Sequence, residues 1–218
     1  MVEHLGTNHH HFDQIITPGF ACDIDETLSE TTIPSFEAMI QAFGSPDNMT
    51  AQELLENFRF LEKVPTWQTQ EHFDWIHEYF SLPETYQHLD LKPHAREALD
   101  EITKKTPLAA YITARRYHLH DVTVDWKQEV KLPKAPLLMR TEQEVINRRG
   151  EWKAQLLYHL FPQVTGIVDD DPNLPLALEK IGYKGFLIMF GHHSTPSLSY
   201  EAYAAPDWKV TKDILLGR

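Results

Sequence analysis

The sequence predicts an α/β protein of the Rossmann-like type, in which helices flank a parallel sheet and a small helical domain is inserted after the first strand. Short apolar runs, typical of buried strands, alternate with longer segments of helical spacing. Between roughly residues 29 and 90 there are helical patterns broken by prolines and no good strand. Strands separated by helices pair in parallel, so we expect a parallel sheet. Because the strand-free stretch interrupts this alternation, we expect a core of residues 1–30 and 91–218 and a helical insertion of residues 31–90.

The predicted elements follow in order along the chain. The first strand, residues 19–23, is an apolar run that stops at an acid. After the insertion, the helix over residues 149–161 has the clearest pattern, because Trp152, Leu156 and Leu160 recur at helical spacing. The other expected helices lie near residues 94–104, 117–130 and 173–181, and the other expected strands over residues 108–113, 136–139, 165–169 and 185–190.

Composition restricts the setting in which this protein works. The chain has 218 residues, enough for one core domain with an inserted module, and its net charge of −12 argues against nucleic acid or an anionic membrane as a general partner. It shows neither a basic and apolar leader nor an apolar run of membrane-spanning length, so we expect a cytoplasmic protein. The lone cysteine, Cys22, excludes an internal disulfide and is expected to be buried. We expect the His9–His11 tract to be an exposed leader.

Two carboxylates, Asp23 and Asp25, stand where the first strand ends. Side chains two positions apart in an extended segment point the same way, so both carboxyl groups can converge on one reacting centre. Such a pair suits a nucleophile and a general acid/base, with Mg²⁺ bridging the first carboxylate and a phosphate. The alternative is a pair of solvated turn or helix-capping residues.

Two later residues could complete a site of this kind. Thr113 ends the predicted strand 108–113, where its hydroxyl faces either a ligand or the first turn of the next helix. Lys153 lies on the predicted helix 149–161 and could supply a cation, although helical lysines are usually solvated. Lys134 is a weaker competitor for that role.

A run of three acids, Asp169, Asp170 and Asp171, follows the predicted strand 165–169. Three crowded carboxylates repel one another unless a cation neutralises them, so the run indicates a metal site. We expect Asp169 and Asp170 to be ligands and Asp171 to open the following helix. The alternative is an acidic helix N-terminus favoured by the helix dipole.

The sequence D-x-D-x-T at residues 23–27, followed in order by Thr113, Lys153 and the acidic run, resembles the four motifs of the haloacid dehalogenase-like (HAD) phosphohydrolases. The resemblance implies that Asp23 becomes an aspartyl-phosphate and that Asp25 serves as general acid and base. The presence of this second aspartate departs from the dehalogenase branch of the family. The insertion between the first two motifs resembles the helical C1 cap, which closes over the site and selects substrates.

The same resemblance implies the remaining roles. Thr113 and the backbone N–H of Ala114 would bind the phosphoryl oxygens, and Lys153 would steady the nucleophile and the phosphoryl charge. The cofactor would be Mg²⁺, held by Asp23, Asp169 and Asp170 and by the backbone carbonyl of Asp25.

The substrate is less sharply indicated. The layout, including a late segment around Trp208, is most similar to the 5'(3')-deoxyribonucleotidase group, so we expect a small phosphorylated substrate, with a nucleotide as one candidate. Arg115 and Arg116 could reach a second anionic group of the substrate, or could be a helix-surface pair. Glu26 is expected to be an exposed turn residue, with an extra acid near the leaving group as the alternative. Two other classes of function stay open: a phosphotransferase or macromolecular phosphatase, and a binding protein without turnover.

Overall fold

The structure, a computed structural model, describes Ile15 and residues 17–141 and 149–218, and it confirms the predicted α/β class. Within these residues six strands form one sheet in which every neighbouring pair is parallel. The strands are β1 (Gly19–Cys22), β2 (Leu108–Arg116), β3 (Leu137–Arg140), β4 (Val164–Asp169), β5 (Phe186–Phe190) and β6 (Glu201–Ala205). Their order across the sheet is β3-β2-β1-β4-β5-β6, which places β1 at the centre between β2 and β4.

The helices agree closely with the sequence pattern. Each helix predicted after the insertion is found within two residues of its expected ends, except that the first turn of the segment 117–130 is a 3-10 helix, Tyr117–Leu119. The α-helices are α1 (Thr32–Phe43), α2 (Ala51–Phe58), α3 (Gln70–Tyr79), α4 (Ala95–Ile102), α5 (His120–Glu129), α6 (Arg149–Leu160), α7 (Leu174–Lys180) and α8 (Trp208–Gly217). The His9–His11 tract lies outside the described residues.

The sheet is buried on both faces, which explains why its strands have continuous apolar sequences. In β1 the side chains of Phe20 and Cys22 belong to one hydrophobic cluster and that of Ala21 to another, as the alternation of a strand requires. Helices α4, α5 and α8 cover the first face, and α6 and α7 cover the second. The prediction that Cys22 is buried is confirmed.

Two features of the sheet differ from the sequence prediction. Strand β6 was not expected, because at the sheet edge four of its five residues keep partial or full exposure and its sequence lacks an apolar run. Strand β2 does not end at Thr113 but continues to Arg116, since Met139 and Arg140 of β3 extend the pairing across a register shift. Thr113 is therefore a fully buried strand residue.

The segment between β1 and α4 contains α1, α2 and α3 joined by short 3-10 turns. It has a hydrophobic cluster of its own, which includes Phe36, Leu54 and Trp67. The chain reaches this segment and returns from it along adjacent paths, because Glu30 N donates to Asp90 O at 2.8 Å. The division of the chain into a core and a cap domain at residues 31 and 90 stays a prediction.

The C-terminal helix is tied to the loop that follows β1. The indole N–H of Trp208, at the start of α8, donates to the carbonyl of Thr27 at 2.8 Å, and the ring packs against Phe190. The Trp208 side chain is completely buried. The loop that carries Asp23 and Asp25 is thus anchored by α8, whose Trp208 is 181 residues from Thr27 in sequence.

Among the described helices, none is both long and apolar enough to cross a membrane. The expected cytoplasmic location stays a prediction.

We expect Trp208→Phe to lower the free energy of unfolding by about 2 kcal/mol, because Thr27 O loses a buried donor and the smaller ring leaves a cavity. Urea denaturation followed by circular dichroism measures this change. The control is Trp75→Phe, since Trp75 is a half-buried helix residue stacked on Tyr79, and its replacement should change stability by less than about 0.5 kcal/mol. Equal effects of the two substitutions would contradict the proposed importance of the buried bond.

Candidate active site

The acids of the first and fourth motifs converge because β1 and β4 are neighbours in the sheet. Asp23 follows the last residue of β1, Asp169 ends β4, and the Asp23 N–H donates to Val168 O at 2.9 Å. One carboxylate oxygen from each of Asp23, Asp169 and Asp170 lies within 4.8 Å of the others. Asp23 and Asp169 are only 3% and 2% exposed, so two of these charges are buried. Parallel strands end at one edge of the sheet, which is where open α/β proteins bind ligands.

Lys153 supplies the cation of this cluster. From α6 its ammonium lies 2.9 Å from Asp23 Oδ1 and 2.7 Å from Asp169 Oδ2. Burial acts to lower the pKa of Lys153, but the two carboxylates outweigh it and raise that pKa above its usual value. The ammonium therefore stays charged, and the alternative of a solvated helical lysine is wrong, as Lys153 is only 3% exposed. Lys134, by contrast, is an exposed residue of the loop before β3.

The carboxylates exceed the available positive charge. Burial raises the pKa of Asp23, Asp169 and Asp170, and on Asp170 the charges of Asp169 and Asp23 raise it further. Lys153 acts in the opposite direction but carries a single charge. Asp23 Oδ1 is buried and, apart from this ion pair, receives no hydrogen bond from the described residues. Three oxygen ligands with excess negative charge fit a hard divalent cation.

Asp25 and Asp171 have a different status from these three acids. The Asp25 side chain is not a member of the three-acid cluster, and the contribution of its backbone carbonyl stays a prediction. Asp171 also stands apart from the cluster: its carboxylate accepts from Asn173 N at 2.8 Å in the turn before α7, whose N-cap residue is Asn173 and not Asp171 as expected.

Asp25 instead lies against the end of β2. The guanidinium of Arg115 donates to both Asp25 oxygens, with Nη2 2.7 Å from Oδ1 and Nε 3.0 Å from Oδ2. The Thr113 hydroxyl makes a longer contact of 3.5 Å with Oδ2 and accepts the Arg115 N–H at 3.2 Å. Arg115 is thus a buried strand residue, which excludes the alternative of a helix-surface pair. Ala114 and Arg116 line the adjacent cavity, and their contacts with a substrate stay predictions.

That cavity has a volume of about 1550 Å³ and lies between the sheet and the inserted helices. Asp23, Asp25 and Lys153 line its floor on the sheet side. Its lining from the inserted segment includes Arg59, Phe60, Phe73, Ile76 and Phe80. The volume exceeds that of typical small-ligand pockets, about 300–1,000 Å³, so a substrate of nucleotide size fits.

Arg59 is a site residue that the sequence did not indicate. It follows α2 with φ of 61°, a left-handed conformation that is uncommon for a residue other than glycine. Its Nη2 donates to the Asp170 carbonyl at 3.0 Å and lies 3.8 Å from the Asp170 carboxylate, while His192 Nε2 lies 3.2 Å from the same carbonyl. No local pattern predicts this contact, because it depends on how the inserted helices sit over the sheet.

Glu26 was expected to be an exposed turn residue, and this expectation is wrong. It is half-buried with φ of 58°, and its carboxylate accepts from Thr31 N at 2.7 Å and from Thr32 N at 2.6 Å. Lys92 donates to the other oxygen at 2.8 Å. Glu26 therefore closes the N-terminus of α1, where a negative charge is favourable. No local signal marks this role, because Glu26 stands six positions before Thr32, the first residue of α1.

Known proteins resemble this chain in sequence over part of its length and in fold over nearly all of it. No family model matches the chain. A Bacillus subtilis protein named "Putative nucleotidase YqfW" is 32% identical over 107 residues, which are 48% of this chain and 50% of that protein. The chain thus matches about half the length of this curated relative.

Solved structures resemble nearly the whole chain. A haloacid dehalogenase-like family hydrolase from Streptococcus pneumoniae has a TM-score of 0.56 at 16% identity, covering 93% of this chain and 99% of its own. A HAD-superfamily hydrolase from Ehrlichia chaffeensis has a TM-score of 0.55 at 12% identity, with 92% and 97% covered. An L-2-haloacid dehalogenase has a TM-score of 0.50 at 15% identity, with 93% and 100% covered.

At these identities the resemblance establishes the architecture and leaves the reaction to be argued from the site. The chain has the haloacid dehalogenase-like fold.

Proposed function

We propose that this protein is a Mg²⁺-dependent phosphomonoesterase that works through an aspartyl-phosphate on Asp23. The observation that carries the proposal is the group of buried acids around Lys153, which faces a large cavity together with Asp25. The Lys153 ammonium fixes the position of the Asp23 nucleophile and opposes the rise in its pKa that burial causes. The retained second aspartate favours phosphate transfer over dehalogenation.

The reaction has two balanced steps. In the first, an Asp23 oxygen attacks phosphorus, the bond from phosphorus to the ester oxygen breaks, and Asp25 gives its proton to the leaving oxygen. In the second, a water oxygen attacks the same phosphorus and the bond to Asp23 breaks. The water proton passes to Asp25, inorganic phosphate leaves, and Asp23 is again a carboxylate.

Residues at the carboxyl ends of the strands and on α6 stabilise the charge of the phosphoryl group. Lys153 lies beside the nucleophile, and the Thr113 hydroxyl and the Ala114 N–H are the proposed donors to the phosphoryl oxygens. Mg²⁺, held by Asp23, Asp169, Asp170 and the Asp25 carbonyl, would neutralise the acids and the phosphate.

We infer a small phosphorylated metabolite as the substrate, with a nucleotide as the leading candidate. The aromatic residues Phe60, Phe73 and Phe80 on the cavity wall, the half-buried Arg116 and the name of the Bacillus subtilis relative support this choice. In this proposal residues 31–90 act as a cap that encloses the substrate. A cavity roofed by helices favours a small molecule over a protein or a nucleic-acid end.

We expect the purified protein with Mg²⁺ to release phosphate from members of a panel of nucleotides and sugar phosphates. Asp23→Asn should lower kcat by about 1,000-fold or more, because it removes the nucleophile. EDTA should abolish turnover, and readded Mg²⁺ should restore it. Asp213→Asn, an exposed change on α8, is the matched control that keeps the wild-type rate. Absence of phosphate release from every ester would contradict the proposal, as would full activity of Asp23→Asn.

We expect Mg²⁺ to stabilise the protein through the acidic cluster. At a concentration about 100-fold above its Kd, the ion should raise the free energy of unfolding by about 2.7 kcal/mol. Asp170→Asn should respond less to Mg²⁺. In EDTA, however, it should be more stable than the wild type by about 1 kcal/mol, since it removes an excess negative charge.

Thermal unfolding across a Mg²⁺ titration measures both effects. The matched control is Asp171→Asn, which changes a neighbouring acid that is engaged with Asn173 and should keep the wild-type response to Mg²⁺. An equal response of Asp170→Asn and the wild type would remove Asp170 from the proposed metal site.

A further inference from the structure

Arg115 grips Asp25 with the two adjacent nitrogens of its guanidinium. Nε donates to both carboxylate oxygens, at 3.2 Å and 3.0 Å, and Nη2 donates to Oδ1 at 2.7 Å. A planar fork that meets a carboxylate in this way fixes its orientation as well as its position. Asp25 keeps 32% of its side chain exposed and lines the cavity.

The guanidinium is itself held from behind. Its third nitrogen, Nη1, donates to Thr123 Oγ1 at 3.2 Å, and Thr123 in turn donates to Leu119 O at 2.8 Å. The ring of Tyr86 stacks over the group at 4.1 Å, and the ring of Trp126 lies 5.7 Å away. Only 1% of the Arg115 side chain is exposed. The guanidinium that orients Asp25 is therefore itself held in place by Thr123, Tyr86 and Trp126.

This arrangement bears on what Arg115 can do. Each of its three guanidinium nitrogens already has a protein acceptor, so contact with a substrate would require it to give up bonds that it makes here. Arg116, the next residue, is half-buried and lines the cavity. These bonds direct Arg115 toward Asp25 and the protein interior, and a contact of Arg116 with the substrate stays a prediction.

We propose that Arg115 is a positioning residue that holds the Asp25 carboxylate in the orientation from which it accepts a proton from the water that attacks the aspartyl-phosphate. The inference rests on the proposed function, since it concerns the second step of that reaction. The guanidinium fork fixes the plane of the Asp25 carboxylate, and hence the direction in which its oxygens face the cavity. The phosphorus–oxygen bond to Asp23 breaks as the bond to water forms, and the proton ends on Asp25.

The inference predicts an imbalance between the two steps when Arg115 is changed. An aryl phosphate such as 4-nitrophenyl phosphate has a good leaving group and needs little help from an acid, so phosphorylation of Asp23 should continue. Hydrolysis of the aspartyl-phosphate still needs an oriented base. We expect Arg115→Gln to slow hydrolysis by about 100-fold, whereas phosphorylation should change by less than about threefold. Arg115→Lys keeps the charge without the fork and should fall between Arg115→Gln and the wild type.

The experiment follows 4-nitrophenolate release by stopped flow in the presence of Mg²⁺ and detects the phosphorylated protein by mass spectrometry after rapid quenching. For Arg115→Gln the expected result is a stoichiometric burst, then slow turnover, with phosphoprotein that persists about 100-fold longer than in the wild type. A general loss of structure would lower the burst and the turnover together. The substitution keeps the backbone N–H of residue 115, and hence its hydrogen bond to the Thr113 hydroxyl.

Thr123→Val keeps the test decisive if Arg115→Gln fails to fold. It removes the acceptor behind the guanidinium while leaving Asp25 and Arg115 intact, and it should slow phosphoprotein hydrolysis by about fivefold. The matched control is Thr103→Val, because Thr103, the C-cap residue of α4, also donates to the carbonyl four residues earlier, at 2.8 Å. This control should hydrolyse the phosphoprotein at the wild-type rate.

Two results would overturn the inference while leaving the proposed function in place. One is wild-type hydrolysis of the phosphoprotein by Arg115→Gln and Thr123→Val. The other is the joint loss of burst and turnover in a folded Arg115→Gln protein. Failure of the wild type itself to form or hydrolyse a phosphoprotein would contradict the proposed function, and the inference with it.

Discussion

The buried ammonium of Lys153 organises the centre of this protein. It lies within 3 Å of carboxylate oxygens from two strands, Asp23 after β1 and Asp169 at the end of β4, and neither acid has more than slight exposure. Without this cation two buried charges would be left without compensation, which is among the most destabilising arrangements in a protein interior. The position of α6 over the sheet, and the adjacency of β1 and β4, therefore have to be maintained together.

Around this pair the site has two electrostatic halves. On one side, Asp170 adds a third carboxylate to the cluster, and its backbone carbonyl is met by Arg59 from the inserted helices. On the other, Asp25 is turned toward Arg115 on β2. The two aspartates of the first motif, two positions apart, thus have different electrostatic surroundings. Asp23 lies in a cluster with excess negative charge, which favours a metal, whereas Asp25 forms an ion pair with Arg115.

The sequence predicted those parts of the molecule that follow from local pattern. Strands buried on both faces have continuous apolar runs, so β1 and β4 were found. The acids at their ends meet because the sheet is parallel and β1 lies beside β4, and this strand order was not predicted. Strand β6 was missed because an edge strand needs no such run. Arg59, Glu26 and the grip of Arg115 on Asp25 were missed for another reason. Each depends on tertiary placement or on a left-handed backbone angle, which residue type alone does not indicate.

The chain leaves the core for the inserted helices and returns to it at neighbouring positions. Two hydrogen bonds join these positions, from Glu30 N to Asp90 O and from Lys92 N to Leu28 O at 2.7 Å. Because the two ends of the inserted segment are neighbours in the folded core, the sheet can keep the same topology whatever length of chain lies between them. Loop closure across such a fixed gap costs little more for a long segment than for a short one. The inserted segment can therefore vary in length and sequence while the sheet and the acids at its edge stay unchanged.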